Sequence, residues 1–230
     1  MGAFTEVDGP DGSFEGYLAL PAEGTGPSIM VLGEIYNVND WVRAVTDRYA
    51  EAGFVAFAPD VYWRNAPRIY LDYNPEDQKR GRKLAAELDI GLAIKDLETC
   101  MAFLRNHERS NRKVGIVGFC LGGQLAYRFA AQSSPDAISV YYGTKLQDLV
   151  EMVRQISCPT QLHFGETDHS VPGSAAHDIA RVAADMPNIA VHIYEGVGHA
   201  FNRFGYPPFD ARAAELAEQR TIALFNSLLR

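Results

Sequence analysis

Short apolar segments alternate with longer amphipathic segments along most of the chain. Six of the short segments are apolar almost without interruption, and they are predicted to be strands: 28–32, 54–58, 113–117, 138–142, 161–164 and 190–194. Continuous apolar character is typical of parallel strands that helices cover on both faces. Residues 14–20 follow a polar turn at 8–13 and are predicted to form an antiparallel edge strand.

The longer segments have the spacing of helices. Asn39 or Asp40 can cap a helix that ends before Gly53. Further helices are predicted over 75–107, with an interruption near Gly91, and over 121–131, 174–184 and 209–229. Strands that alternate with helices predict a doubly wound, mostly parallel sheet flanked by helices, with ligands beyond the carboxyl ends of the strands. The length of 230 residues fits a single domain over 1–230.

Charge and composition exclude several classes of protein. The net charge is −8, and no run of lysine and arginine could follow a phosphate backbone, so nucleic acid is not an expected partner. No apolar stretch of about 18 residues would cross a membrane, and no signal peptide is recognised at the start. Cysteines at 100, 120 and 158 show no metal-type spacing, and their odd number argues against a disulfide framework. We therefore expect a cytoplasmic, reducing location.

Cys120 lies within Gly118-Phe119-Cys120-Leu121-Gly122-Gly123, between a predicted strand and a predicted helix. This is the nucleophile-elbow pattern of α/β-hydrolases, G-x-S-x-G, with a thiol in place of the serine hydroxyl. A helix N-terminus favours a thiolate and helps to hold an oxyanion. The alternative is that Cys120 is only a small apolar residue in a glycine-rich turn.

Asp168 and His199 each follow a different predicted strand. The order Cys120, Asp168, His199 is the order nucleophile, acid, base of α/β-hydrolases. His199 would then take the thiol proton, while Asp168 orients its ring. Taken singly, Asp168 could be a turn residue and His199 a solvated loop residue. Glu166 and Glu195 compete with Asp168 for the acid position.

Glu34 follows the strand at 28–32, where α/β-hydrolases usually supply the second oxyanion-hole N–H. The backbone N–H groups of Ile35 and Leu121 would be the two oxyanion donors. Glu34 itself would face the thiol in this interpretation. Its alternative is an ordinary surface charge.

Six segments spread over nearly the whole chain carry a resemblance to one family: Gly33-Glu34-Ile35-Tyr36, Ala58-Pro59-Asp60-Val61-Tyr62, Val117-Gly118-Phe119-Cys120-Leu121-Gly122-Gly123, Tyr141-Tyr142-Gly143, Gly165-Glu166-Thr167-Asp168 and Gly198-His199-Ala200-Phe201. With them the chain resembles the dienelactone hydrolases (carboxymethylenebutenolidases), which have the α/β-hydrolase fold. The resemblance implies hydrolysis of an enol-lactone to maleylacetate through a thiol ester on the cysteine, in the bacterial breakdown of catechols. It gives the nucleophile, base and acid roles to Cys120, His199 and Asp168, and it gives Glu34 a part in activating the thiol.

The same resemblance implies that arginines bind the carboxylate of the substrate. Arg203 matches one of them, and Arg80 or Arg82 is the nearest candidate for the second. Tyr141 matches a tyrosine near the site. From the residues alone, Arg203 could equally be a solvated loop residue, Arg80 and Arg82 the polar face of a helix, and Tyr141 a core residue.

The expected function is hydrolysis of a small anionic lactone or enol ester by a thiol, without a metal or organic cofactor. A carboxylesterase of broader specificity and a non-catalytic ligand-binding relative are the alternatives, and a redox role for the thiol ranks below them. The expected partner is a small anionic molecule. No membrane association is expected, and a monomer is favoured.

Overall fold

The computed structural model describes residues 1–229. Its contacts divide the chain into two compact units, one of Met1–Ile116 and one from Val117 onward. One strand, β5 (Ser110–Phe119), contains the boundary between them. The expectation of a single domain stays a prediction.

The first unit contains four further strands and three helices. The strands are β1 (Ala3–Gly9), β2 (Gly12–Ala19), β3 (Gly26–Leu32) and β4 (Val55–Pro59), and the helices are α1 (Asp40–Glu51), α2 (Pro75–Glu87) and α3 (Ile90–Asn106). The strand order within it is β1-β2-β4-β3-β5. β3 and β4 are parallel, and every residue of both is buried. The continuous apolar character of these segments is thereby explained.

The second strand corrects one prediction. β2 is paired on both sides, antiparallel to β1 and antiparallel to β4, so it is not an edge strand. β1 lies outside it and was not predicted. Val7 is the one residue of β1 that is fully buried, and polar residues flank it on both sides. A strand with so little apolar character has no clear period in the sequence.

The second unit, in its described residues, contains three further strands, three α-helices and two short 3-10 helices at Leu146–Asp148 and Val150–Gln155. The strands are β6 (Ala137–Tyr141), β7 (Thr160–Gly165) and β8 (Ile189–Tyr194), and the helices are α4 (Leu121–Gln132), α5 (Gly173–Val182) and α6 (Ala211–Leu229). The strand order is β5-β6-β7-β8, and β6, β7 and β8 run parallel. The carboxyl ends of these three strands therefore meet at one edge, where Asp168 and His199 follow β7 and β8. Cys120 follows β5 and reaches the same edge, because its N–H bonds the carbonyl of Tyr141 at the end of β6.

Side-chain caps fix where the predicted helices begin. The Asn39 side chain accepts a hydrogen bond from the Val42 N–H at the start of α1. Asp89 does the same for the Leu92 N–H at the start of α3. The predicted interruption near Gly91 is confirmed, and it falls at Leu88 and Asp89, between α2 and α3. None of the helices described in residues 1–229 is long and apolar enough to cross a membrane.

Candidate active site

Cys120 is held in a strained backbone conformation between β5 and α4. Its φ of 56° and ψ of −112° lie in a region that residues with a Cβ rarely adopt. A Cβ on Gly118 would lie 2.3 Å from the Gly122 carbonyl oxygen, so the turn requires glycine there. The Cys120 N–H donates to the Tyr141 carbonyl (3.0 Å), which ties the turn to the end of β6. The close approach at Gly118 and this hydrogen bond hold the turn in the geometry of a nucleophile elbow.

Asp168 and His199 are joined by a hydrogen bond of 2.8 Å between Asp168 Oδ2 and His199 Nδ1. The other carboxylate oxygen accepts the backbone N–H groups of Ser170 (2.7 Å) and Val171 (3.0 Å). Asp168 is therefore a turn residue and also the partner of the imidazole. Of its competitors, Glu166 accepts the Gly196 N–H instead (2.9 Å).

The side chain of Cys120 also acts on the charge of His199. Burial by itself would lower the pKa of His199, but Cys120 and the hydrogen-bonded carboxylate of Asp168 raise that pKa to about 10. The ring of Tyr142 packs edge-on against the imidazole, with 4.9 Å between the ring centroids. An imidazolium is thus favoured next to the sulfur, which is the arrangement that activates a thiol nucleophile.

Leu121 is the first residue of α4. N–H groups in the first turn of a helix have no partner within the helix, and they carry partial positive charge. The Leu121 N–H is therefore suited to hold negative charge that develops next to Cys120.

Glu34, Ile35 and Arg80 belong to the first unit. The Glu34 side chain is only 1% exposed, so the surface-charge alternative is wrong. The Ile35 carbonyl accepts a hydrogen bond from the Tyr62 hydroxyl (3.3 Å). Arg80 and Arg82 are both exposed on α2, as expected for the polar face of a helix.

Arg203 lies in the second unit, between β8 and α6. Its backbone N–H donates to the carbonyl of Ala200 (3.0 Å), whose φ is 62°. The loop therefore turns sharply directly after His199, and the Arg203 side chain is half-buried.

Tyr141 has contacts that differ from those expected of a substrate ligand. Its side chain is 1% exposed, and its hydroxyl hydrogen-bonds the Thr221 hydroxyl on α6 (2.7 Å). Its ring stacks on His163, with 4.6 Å between centroids. These contacts favour the core-packing alternative for Tyr141, and its assignment to substrate binding stays a prediction. The neighbouring residue, Tyr142, is the one whose ring meets His199.

The remaining cysteines have the environment of packing residues. Cys100 and Cys158 are free and buried, and burial raises the pKa of both thiols. In the part of the chain that the structure describes, no group of His, Cys, Asp and Glu side chains could hold a metal ion.

Sequence reasoning gave no role of their own to Tyr142, whose ring meets His199, or to Asp60, whose carboxylate accepts hydrogen bonds from Asn37 and Tyr62. Tyr142 directly follows β6, and Asp60 directly follows β4. Both occupy the position after a strand that drew attention to Asp168. That signal could have found them.

Comparisons with known proteins extend over almost the whole chain. The family model of the dienelactone hydrolase family matches residues 14–229. Carboxymethylenebutenolidase 1 of Cupriavidus pinatubonensis is 34% identical, covering 94% of this chain and 93% of that protein. The carboxymethylenebutenolidase of Pseudomonas sp. strain P51 is 36% identical, covering 94% and 91% respectively.

Among solved structures, a putative dienelactone hydrolase from Klebsiella pneumoniae superposes with a TM-score of 0.86 at 24% identity, covering 98% of each chain. The dienelactone hydrolase-like promiscuous phosphotriesterase P91 superposes with a TM-score of 0.80 at 20% identity, covering 100% of this chain and 99% of its own. These likenesses show the α/β-hydrolase fold, and they confirm the predicted fold class.

Proposed function

Because the chain belongs to the dienelactone hydrolase family, and is thus a hydrolase of carboxylic ester bonds, we propose that Cys120 is its nucleophile. The proposed substrate is a small anionic lactone or enol ester, of the kind opened in the conversion of dienelactone to maleylacetate. The reaction passes through a thiol ester on Cys120. Its proposed setting is the cytoplasm, where a thiol nucleophile stays reduced, and the protein acts there as a monomer without a cofactor.

One observation carries the proposal: His199 is hydrogen-bonded to Asp168, and its pKa is raised by Cys120, which lies at a strained strand-to-helix turn. Each of the three side chains favours the charge state of its neighbour. The carboxylate of Asp168 favours the proton on His199 Nδ1, and the imidazolium stabilises the thiolate.

In the proposed reaction, the Cys120 thiolate attacks the carbonyl carbon and forms a tetrahedral oxyanion. The N–H groups of Leu121 and Ile35 are the proposed donors to that oxyanion. When the intermediate collapses, the C–O bond breaks, and His199 protonates the departing enolate oxygen. A water molecule then attacks the thiol ester, His199 takes its proton, and the thiolate is released with the carboxylic acid product.

Glu34 is proposed to act on the resting thiol and to help activate it when substrate arrives. Its burial supports a role other than surface charge. Burying a carboxylate costs free energy unless it has hydrogen-bond or charge partners. A substitution that removes the charge of Glu34 would therefore affect the residues around it.

Arginine is the proposed ligand for the substrate carboxylate, because its planar guanidinium can bind a carboxylate through two hydrogen bonds. Arg203 is the stronger candidate, since its half-buried side chain loses less hydration on binding than the exposed side chain of Arg80. The exposure of Arg80 and Arg82 favours one alternative, a carboxylesterase with a looser requirement for an anionic substrate.

The test compares turnover of cis- and trans-dienelactone with turnover of neutral aryl esters. We expect dienelactone to be preferred and both activities to be lost in Cys120→Ala. Cys158→Ala is the matched control, because it removes another buried thiol, and it should stay active. Preference for neutral esters would favour the carboxylesterase, and an active Cys120→Ala variant would exclude the thiol mechanism.

A further inference from the structure

The peptide groups on either side of Ile35 are held by hydrogen bonds within the first unit. The carbonyl of Glu34 accepts the Asn37 N–H (3.2 Å). The carbonyl of Ile35 accepts the Tyr62 hydroxyl (3.3 Å). Because a trans peptide is planar, its N–H points opposite to its C=O. The bond to the Glu34 carbonyl therefore sets the direction of the Ile35 N–H.

Asn37 closes this turn with a backbone φ of 61°, a left-handed conformation that asparagine tolerates better than most residues. All polar groups of its side chain are in use. Nδ2 donates to Asp60 Oδ1 (2.7 Å) and to the Ile69 carbonyl (2.9 Å), and Oδ1 accepts the Val61 N–H (3.2 Å). The side chain, and the turn it belongs to, are therefore fixed.

Asp60 connects the two bonds that flank Ile35. Besides the Asn37 side chain, Asp60 Oδ1 accepts the Tyr62 N–H (3.0 Å), and Oδ2 accepts the Arg68 N–H (2.6 Å). The Asp60 carboxylate thus accepts hydrogen bonds from both Asn37 and Tyr62. The Asn37 N–H bonds the Glu34 carbonyl, and the Tyr62 hydroxyl bonds the Ile35 carbonyl.

The Asp60 side chain is 2% exposed, and burial raises the pKa of this carboxyl group, against the effect of its hydrogen bonds. The guanidinium of the adjacent Arg68 pairs with Glu15 instead. Burying a carboxylate that has hydrogen-bond donors but no cationic partner costs free energy. The hydrogen bonds from three residues, however, hold the Asp60 side chain in one position.

We propose that Asp60 is a positioning residue for catalysis: through Asn37 and Tyr62 it fixes the direction of the Ile35 N–H. This inference rests on the proposed function, in which that N–H stabilises the oxyanion. A misdirected donor weakens binding of the transition state more than binding of the substrate, so the loss should appear in kcat rather than in KM.

The test uses Asp60→Ala with p-nitrophenyl acetate as the probe. Removal of a whole oxyanion donor costs about 10²–10³-fold in kcat, so misdirection should cost about 10–100-fold, with KM nearly unchanged. Alkylation of Cys120 by iodoacetamide forms no oxyanion, so its rate should stay at the wild-type value. Asp47→Ala is the matched control, because Asp47, like Asp60, accepts hydrogen bonds from both backbone and side-chain donors, here the Gly2 N–H and the Tyr17 hydroxyl.

Asp60→Asn provides a rescue. Its amide oxygen can still accept from Asn37 and Tyr62, while its NH2 group takes the place of the oxygen that accepts the Arg68 N–H, so only that third hydrogen bond is lost. We therefore expect a kcat well above that of Asp60→Ala. If Asp60→Ala does not fold, the double variant Asn37→Gly/Tyr62→Phe keeps the left-handed turn and the ring while it removes both connections, and it should show the same selective loss.

A wild-type kcat in Asp60→Ala would overturn the inference. If Asp60→Ala does not fold, a wild-type kcat in the double variant would overturn it. Equal losses in kcat and in the alkylation rate would also overturn it, since they would indicate general disruption of the protein. An active Cys120→Ala variant would instead contradict the proposed function, so the two failures are distinguishable.

Discussion

Replacing Asp168 by asparagine tests the proposed acid with a minimal change of shape. The Oδ1 atom of Asp168 accepts two backbone N–H groups, from Ser170 and Val171, and only Oδ2 faces His199. In Asp168→Asn the amide oxygen must stay on the two backbone donors. The amide NH2 therefore faces His199 Nδ1, which has to become an acceptor.

Two losses follow from that reversal. With Nδ1 as an acceptor, the ring keeps a proton only on the other nitrogen, so it can no longer take a second proton and form the imidazolium. The carboxylate that helps to raise the pKa of His199 is also lost, so that pKa falls from about 10. In a serine protease the same substitution lowers kcat about 10⁴-fold. We expect a loss of about 10²–10⁴ in kcat/KM, or about 3–5 kcal/mol at 1.36 kcal/mol per tenfold change, because a thiol needs less help from a base than a hydroxyl does.

The assay is kcat/KM for p-nitrophenyl acetate from pH 6 to pH 11, at roughly half-unit steps. In the wild type, activity should decline on the alkaline side near pH 10, where His199 loses its proton, and in Asp168→Asn this decline should move to lower pH. Glu166→Gln is the matched control on the same loop and should behave as wild type. A fully active Asp168→Asn variant together with an inactive Glu166→Gln variant would refute the assignment and transfer the acid role to Glu166.

Three further predictions concern other parts of the molecule. Arg203→Ala should lower kcat/KM for dienelactone about 10–100-fold, which corresponds to the loss of one charged hydrogen bond to a carboxylate. The kcat/KM for neutral aryl esters should be nearly unaffected, and equal losses for both substrates would show that Arg203 does not bind the substrate carboxylate. Glu34→Gln should change the rate at which iodoacetamide alkylates Cys120, and an unchanged rate would argue against contact with the thiol. Burial lowers the pKa of His163, and burial together with the charge of Arg220 lowers the pKa of His192 to about 4. Below pH 6.5 the unfolded chain therefore binds more protons than the folded one, so the free energy of unfolding should fall as the pH drops from 6.5 to 4. Urea titrations should show a weaker fall for His192→Gln, and an identical fall would contradict this.

Much of the fold could be predicted from local features of the sequence. Buried parallel strands are apolar at every position, so β3 and β4 were recognisable with bounds within two residues. Asn39 marks a helix start because its side chain bonds a helix N–H group directly. The fixed order of Cys120, Asp168 and His199 identified a candidate site because each residue comes after a different strand, Cys120 directly and the other two in the following loop.

Other features depend on contacts that sequence spacing does not reveal. Tyr141 and Tyr142 are adjacent and chemically identical, yet one bonds Thr221 in the core and the other packs against His199. Tyr141 ends β6 and Tyr142 follows it with a φ of 39°, and neither fact shows in the sequence which ring meets His199. The connections of Asp60 to Asn37 and Tyr62 depend on loop conformations with positive φ, and no pattern of apolar residues indicates them.

The central claim is that a thiol ester forms on Cys120. The most direct measurement is mass spectrometry of protein that has been acid-quenched during turnover of p-nitrophenyl acetate, followed by peptide mapping. We predict one added acetyl group, located on the peptide that contains Cys120 and removed by hydroxylamine. Full turnover with the acyl group on another residue, or full turnover by Cys120→Ala, would contradict the account.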